Sequence, residues 1–111
     1  MSSEESASVA AFRDLYERHV NHVAAGRMSD AIADIVRENI PQVFEGVDVP
    51  RAAVAGFAIK DVRADGERMV GETVYGLGDR SVGLRSIWEF RDGRWLAAEL
   101  ENFPAATDAA K

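Results

Sequence analysis

Phe90-Arg-Asp-Gly-Arg-Trp-Leu-Ala-Ala-Glu-Leu-Glu-Asn102 holds a turn signal followed by a strand pattern, and its register decides which side chains face a core. Two registers compete. A two-residue Asp92-Gly93 loop sets Arg91 opposite Arg94, an unfavourable like-charge pair, and places Glu99 and Glu101 among Leu84, Trp88 and Phe90. A three-residue Arg91-Asp92-Gly93 loop, with Gly93 in a left-handed bulge position, pairs Phe90 with Arg94. Trp88 then faces Leu96, Ser86 faces Ala98, Leu84 faces Leu100, and Arg85 meets Glu99 on the other side. The second register separates apolar from charged side chains, so it is the one the sequence predicts.

Working outward, strands are expected over about 54–63, 68–77, 82–90 and 95–103, joined by Ala64-Asp65-Gly66, Gly78-Asp79-Arg80-Ser81 and Arg91-Asp92-Gly93. Loops this short join antiparallel neighbours, which makes a four-stranded meander. A three-residue turn at Ala64-Asp65-Gly66 pairs Arg63 with Glu67. The inner face then holds Phe57, Ile59, Asp61, Thr73, Tyr75, Leu84, Ser86, Trp88, Leu100 and Asn102. The outer face holds Val62, Val74, Ile87, Trp95 and cross-strand charges.

Upstream, residues 6–25 read as a helix stopped by Gly26, with Phe12, Leu15, Tyr16, His19 and Val23 on one stripe. Ser29 is the expected N-cap of a second helix, whose apolar face is Ile32, Ile35, Val36 and Ile40. Pro41 ends or kinks it, and a short third turn is expected before Gly46. Two or three N-terminal helices packed on one face of an antiparallel sheet of about four strands is an α+β layout. The domain is expected over 6–103, with a disordered start at 1–5 and a flexible tail at 104–111.

With 111 residues the chain is one domain, and its 47% apolar content suits a packed core. The net charge of −6 and the lack of a basic block argue against nucleic acid. No apolar run reaches the roughly 18 residues that cross a bilayer, and the acidic start does not resemble a signal peptide. There is no cysteine, which fits a cytoplasmic protein. Phosphate-loop, nucleophile-elbow and metal-ligand patterns are missing, so no cofactor and no metal are expected.

His19 stands mid-stripe on the first helix and should point at the sheet. An imidazole there is a general base, a hydrogen-bond partner for a ligand, or a buried structural group. Tyr16 and Tyr75 are inner-face phenols that either donate to a developing oxyanion or simply pack. Asp61 is the sole inner-face carboxylate, an auxiliary base or a solvated rim group. Thr73, Ser86 and Asn102, with Phe12 and Trp88, complete the expected wall of a cavity. His19 and His22 lack an evident third ligand.

The long helix ending Ala24-Ala-Gly26, the segment Ser29-Asp-Ala-Ile-Ala-Asp-Ile-Val36 and the closing Trp88-Glu-Phe-Arg-Asp-Gly-Arg-Trp-Leu96 resemble the nuclear-transport-factor-2-like superfamily, in its SnoaL-like and ketosteroid-isomerase-like branches. The resemblance implies a curved sheet wrapping a helix around an apolar pocket. It implies a small apolar ligand, cofactor-free isomerase or cyclase chemistry on a carbonyl or polycyclic compound, or binding alone. It also implies a homodimer through the outer sheet face, here Val74, Ile87 and Trp95. In the isomerase branch a tyrosine lies seven residues before the helix-ending glycine; here that residue is His19, with Tyr16 one turn earlier. The branch's aspartate base has no counterpart in Ile40-Pro-Gln-Val-Phe-Glu-Gly46, and the chain is short between Gly46 and Ala53.

Overall fold

A computed structural model describes residues 2–50 and 52–104, with side chains from Ser8 onward. Of the two ends expected to fray, Met1 and residues 105–111 lie outside the described residues, while Ser2–Glu5 belong to the backbone of the first helix. That helix, α1, spans Ser2–Ala24. Its buried stripe is Phe12, Tyr16, Val20 and Val23, the spacing that keeps one face of a helix on a core. Gly26 ends it at φ 79, and the Gly26 and Arg27 N–H groups donate back to the carbonyls of Val23 and His22. A Cβ at Gly26 would lie 2.8 Å from the Ala53 nitrogen, so the turn and the chain entering the sheet both require glycine.

The second helix is shorter than expected. α2 covers only Met28–Ile32 and has no Ser29 cap. Its apolar pattern would continue, but the edge of the sheet competes for the backbone. Val36 N–H donates to the Ala97 carbonyl, and Ala97 N–H donates to the Asp34 carbonyl, both at 2.8 Å. This bridge draws Ile35 alongside the last strand and covers part of its open edge. Single 3-10 turns follow at Arg37–Asn39 and Gln42–Phe44, the latter near the expected third turn before Gly46.

The sheet is an antiparallel meander of β1 (Gly56–Asp65), β2 (Arg68–Gly76), β3 (Ser81–Arg91) and β4 (Arg94–Phe103). With the helices this gives the expected α+β architecture. The register of both outer hairpins differs from the expected one. In β3–β4, Arg91 pairs with Arg94 across a two-residue turn in which Asp92 (φ 54) and Gly93 (φ 83) are both left-handed. The two arginines avoid each other: Arg91 donates to Glu89 at 2.8 Å, and Arg94 donates to the Ala33 carbonyl at 2.9 Å. The extra residue lies further along, as Trp88 faces Ala97 but Ile87 faces Glu99, leaving Ala98 in a bulge. The first hairpin repeats this, with Asp65 opposite Arg68 and Lys60 as the bulged residue between Ile59 and Asp61.

Between each turn and its bulge the faces are therefore reversed from expectation. Val62, Trp95 and Ala97 join the core, and Asp61 points outward. Beyond the bulges the faces agree, with Ile59 opposite Thr73 and Leu100 opposite Ser86. Trp88 is fully buried at the centre, with ring centroids 5.4 Å from Phe12 and 5.0 Å from His19. On the far side a charged lattice runs Asp61–Arg63–Glu72–Arg85–Glu101, with the Arg85–Glu72 and Arg85–Glu101 contacts at 2.7 Å. Val70 and Ile87, opposite each other in the middle of the sheet, are buried on this side. No described helix is long and apolar enough to cross a membrane.

Candidate functional site

A narrow, partly open apolar cavity lies between α1, α2 and the sheet. Its walls include His19, Val23, Ala31, Ile35, Leu84 and Ala97, and it holds about 30 Å³, room for roughly one water. Outside it is an open depression of about 340 Å³ lined by Met28, Ile32, Phe44 and Val49. All four side chains also line the inner cavity, so the two spaces adjoin along this shared partition of side chains. α2 supplies Met28 and Ile32, and the Gln42–Phe44 turn with its following connector supplies Phe44 and Val49.

His19 is the polar member of the inner wall. Its Nδ1 lies 3.0 Å from Asp34 Oδ2, and both groups are largely covered. Asp34 is fixed in turn, because its carbonyl accepts the Ala97 N–H in the bridge to β4. Trp88 packs edge-on against the imidazole and limits its rotation. A ring oriented by a carboxylate at one nitrogen, in an apolar wall, is suited to accept or deliver a proton at the other. His22 does not join it; Arg27 Nε donates to its Nδ1 at 3.4 Å.

The other expected site residues lie apart from this cavity. Tyr16 is buried, with its hydroxyl 2.6 Å from Thr73 Oγ1. Burial pushes its phenol up to about 12, against the hydrogen bonds from Thr73 and Ser86 and with a small push from Glu72. Burial likewise raises the phenol of Tyr75. Trp88 Nε1–H donates to Ser86 Oγ at 2.7 Å. Among the described residues no buried side-chain nitrogen or oxygen lacks a partner, so these polar groups satisfy one another within the core. Gly71 makes room for this arrangement, since a Cβ there would meet the Tyr16 ring at 2.4–2.8 Å. Phe12 stacks between Tyr16, Trp88 and Trp95, with centroids 5.4–5.8 Å apart.

Two placements are corrected outright. Asp61 is on the outer face, 2.6 Å from Arg63, because the Lys60 bulge reverses the strand before it reaches the turn. Trp95 faces inward against Phe12 and is half-buried, and Ile87 stays on the outer face but is buried there. Asn102 sits at the edge of the sheet as a latch. Its Oδ1 accepts the Asp48 N–H at 2.8 Å, and its Nδ2 donates to the carbonyls of Asp48 and Gly83.

Sequence reasoning missed Asp34 and the partition residues. Asp34 falls on the polar side of a helix that does not continue; its one sequence signal is a lone carboxylate in the apolar run Ile32-Ala33-Asp34-Ile35-Val36.

No protein-family profile matches the chain, and no curated protein matches it. Among solved structures the chain is similar to an NTF-2-like protein of unknown function from Burkholderia xenovorans LB400. The two share 23% identity with a TM-score of 0.54, over 88% of this chain and 89% of that one. The chain thus has the NTF-2-like fold, as its sequence resemblance implied.

Proposed function

We propose that the protein binds a small apolar molecule that enters through the Met28–Ile32–Phe44–Val49 depression and reaches His19. The observation that carries this reading is the imidazole in the wall of an apolar cavity, oriented from behind by Asp34 at 3.0 Å. The depression holds the body of the ligand, and displacement of the partition side chains joins it to the inner cavity. His19 then serves as proton carrier for cofactor-free chemistry of the isomerase or cyclase kind, in keeping with the resemblance. A second reading, binding without turnover, is favoured by the small volume of about 30 Å³, which leaves little room for a reacting centre beside the imidazole.

Both readings require ligand at the partition. A methyl-resolved NMR titration with benzene should perturb the Met28 and Ile32 methyls and the His19 ring together. Ile32→Trp, which fills the depression, should weaken that binding at least tenfold without loss of the fold. Perturbations confined to other parts of the molecule would reject the site.

A further inference from the structure

We infer that the ligand presents a hydroxyl, a hydrogen-bond donor, to His19, and that a bare carbonyl of the same shape is disfavoured. This rests on the cavity being the ligand site, and it names the chemical class that site accepts. A carboxylate has no hydrogen to give, so the 3.0 Å contact between Asp34 Oδ2 and His19 Nδ1 places the imidazole proton on Nδ1. Nε2 of the neutral ring then carries a lone pair and no hydrogen. Among the described residues no hydrogen bond reaches Nε2, and since none of their buried side-chain nitrogens or oxygens lacks a partner, Nε2 keeps accessible surface, while the ring itself forms part of the cavity wall.

An acceptor at the end of an apolar passage selects a donor. Opposite a ketone oxygen, two lone pairs would face each other, and neither would gain a hydrogen bond from the other. The inner cavity sets the size of the group that approaches: about 30 Å³ admits a hydroxyl-sized head, while the hydrocarbon body remains among Met28, Ile32, Phe44 and Val49. The class is therefore an apolar alcohol or phenol, or the enol form of a carbonyl compound. The acidic hydrogen of such a group is also the one His19 is placed to take. Asp34 acts here as a positioning residue, because it fixes the tautomer without lining the cavity itself.

Cyclohexanol and cyclohexanone are nearly equal in size and differ in the donor, so they separate the head-group question from the binding question. Long-range nitrogen NMR of the parent should show His19 protonated at Nδ1 and unprotonated at Nε2. Cyclohexanol should bind about tenfold more tightly than cyclohexanone, the value of one ordinary hydrogen bond. In Asp34→Asn the amide can donate to Nδ1 as well as accept from it, which frees the ring to carry its hydrogen on Nε2, so the preference should shrink or reverse. Equal affinities, a preference for the ketone, or a ring protonated at Nε2 in the parent would overturn the inference while leaving the cavity as a ligand site. Failure of either probe to perturb His19, alongside a failed benzene titration, would remove the site itself. If Asp34→Asn does not fold, the parent tautomer and the affinity ratio still decide.

Discussion

Tyr16 shows what a single residue reveals about the interior. Its ring lies over Gly71, a position where any Cβ would collide with it, and its hydroxyl is held at 2.6 Å by Thr73. A phenol so enclosed resists ionisation, and its value rises to about 12 chiefly through burial. The sign of the effect on stability follows directly. Below pH 10 the phenol is neutral whether the chain is folded or unfolded, and the folded state keeps its full advantage. Between pH 10 and about 12 the unfolded chain ionises first, so stability falls as pH rises. A shift of this size corresponds to roughly 2–3 kcal/mol. Tyr75 shifts in the same direction, and these are the two tyrosines of the chain. The phenolate absorbance of the folded protein should therefore stay low at pH 10.5 and appear together with unfolding, as followed by circular dichroism. A phenolate signal with a midpoint near 10 in still-folded protein would show that the tyrosines are open to solvent.

At the scale of elements, the helix, the meander and the α+β class were legible because hydrophobic period and turn residues state them locally. The positions of the extra residues were not. Each outer hairpin contains one residue too many for continuous pairing, and a bulged turn and a bulge inside the strand use up that residue equally well. The structure places it at Lys60 and Ala98. The sequence did hold a signal: Ile59 and Val62 both enter the core, a spacing of three that no unbroken strand permits. The opposed arginines misled the choice of turn because they are long enough to turn away to other acceptors. Deleting Lys60 should force continuous pairing and swing Phe57 and Ile59 to the charged side, with a loss of at least 3 kcal/mol in urea unfolding. Lys60→Ala, which keeps the bulge, should stay within about 1 kcal/mol of the parent. Equal midpoints for the two variants would mean that the strand absorbs the register change elsewhere.

For the whole molecule, the sheet divides an aromatic core from a lattice of ion pairs, and the candidate site lies at the end where the helices meet the edge of β4. His19 could be read from its helix stripe alone. Asp34 could not, because the contact joins residues 15 apart through a bridge to β4 that only the folded chain creates. The same division bears on self-association. Trp95 is half-buried and packs against the core, with centroids 5.8 Å from Phe12 and 5.2 Å from Phe90. The outer face that was expected to carry it is instead crossed by Arg63, Glu72, Arg85 and Glu101. Exposed pairs of this kind contribute little individually and weaken in salt, so they set the character of the face more than the stability of the fold. Trp95→Glu distinguishes the two locations. A carboxylate beside Phe12 would lose aromatic packing and be partly drawn out of water, at a cost of about 2–4 kcal/mol. The variant should melt well below the parent, by 10 °C or so for a chain of this length. At low temperature its folded fraction should elute in size-exclusion chromatography where the parent does. A change of elution to a smaller species at an unchanged melting temperature would place Trp95 on an interface between copies, and the inward register of β4 would then be wrong.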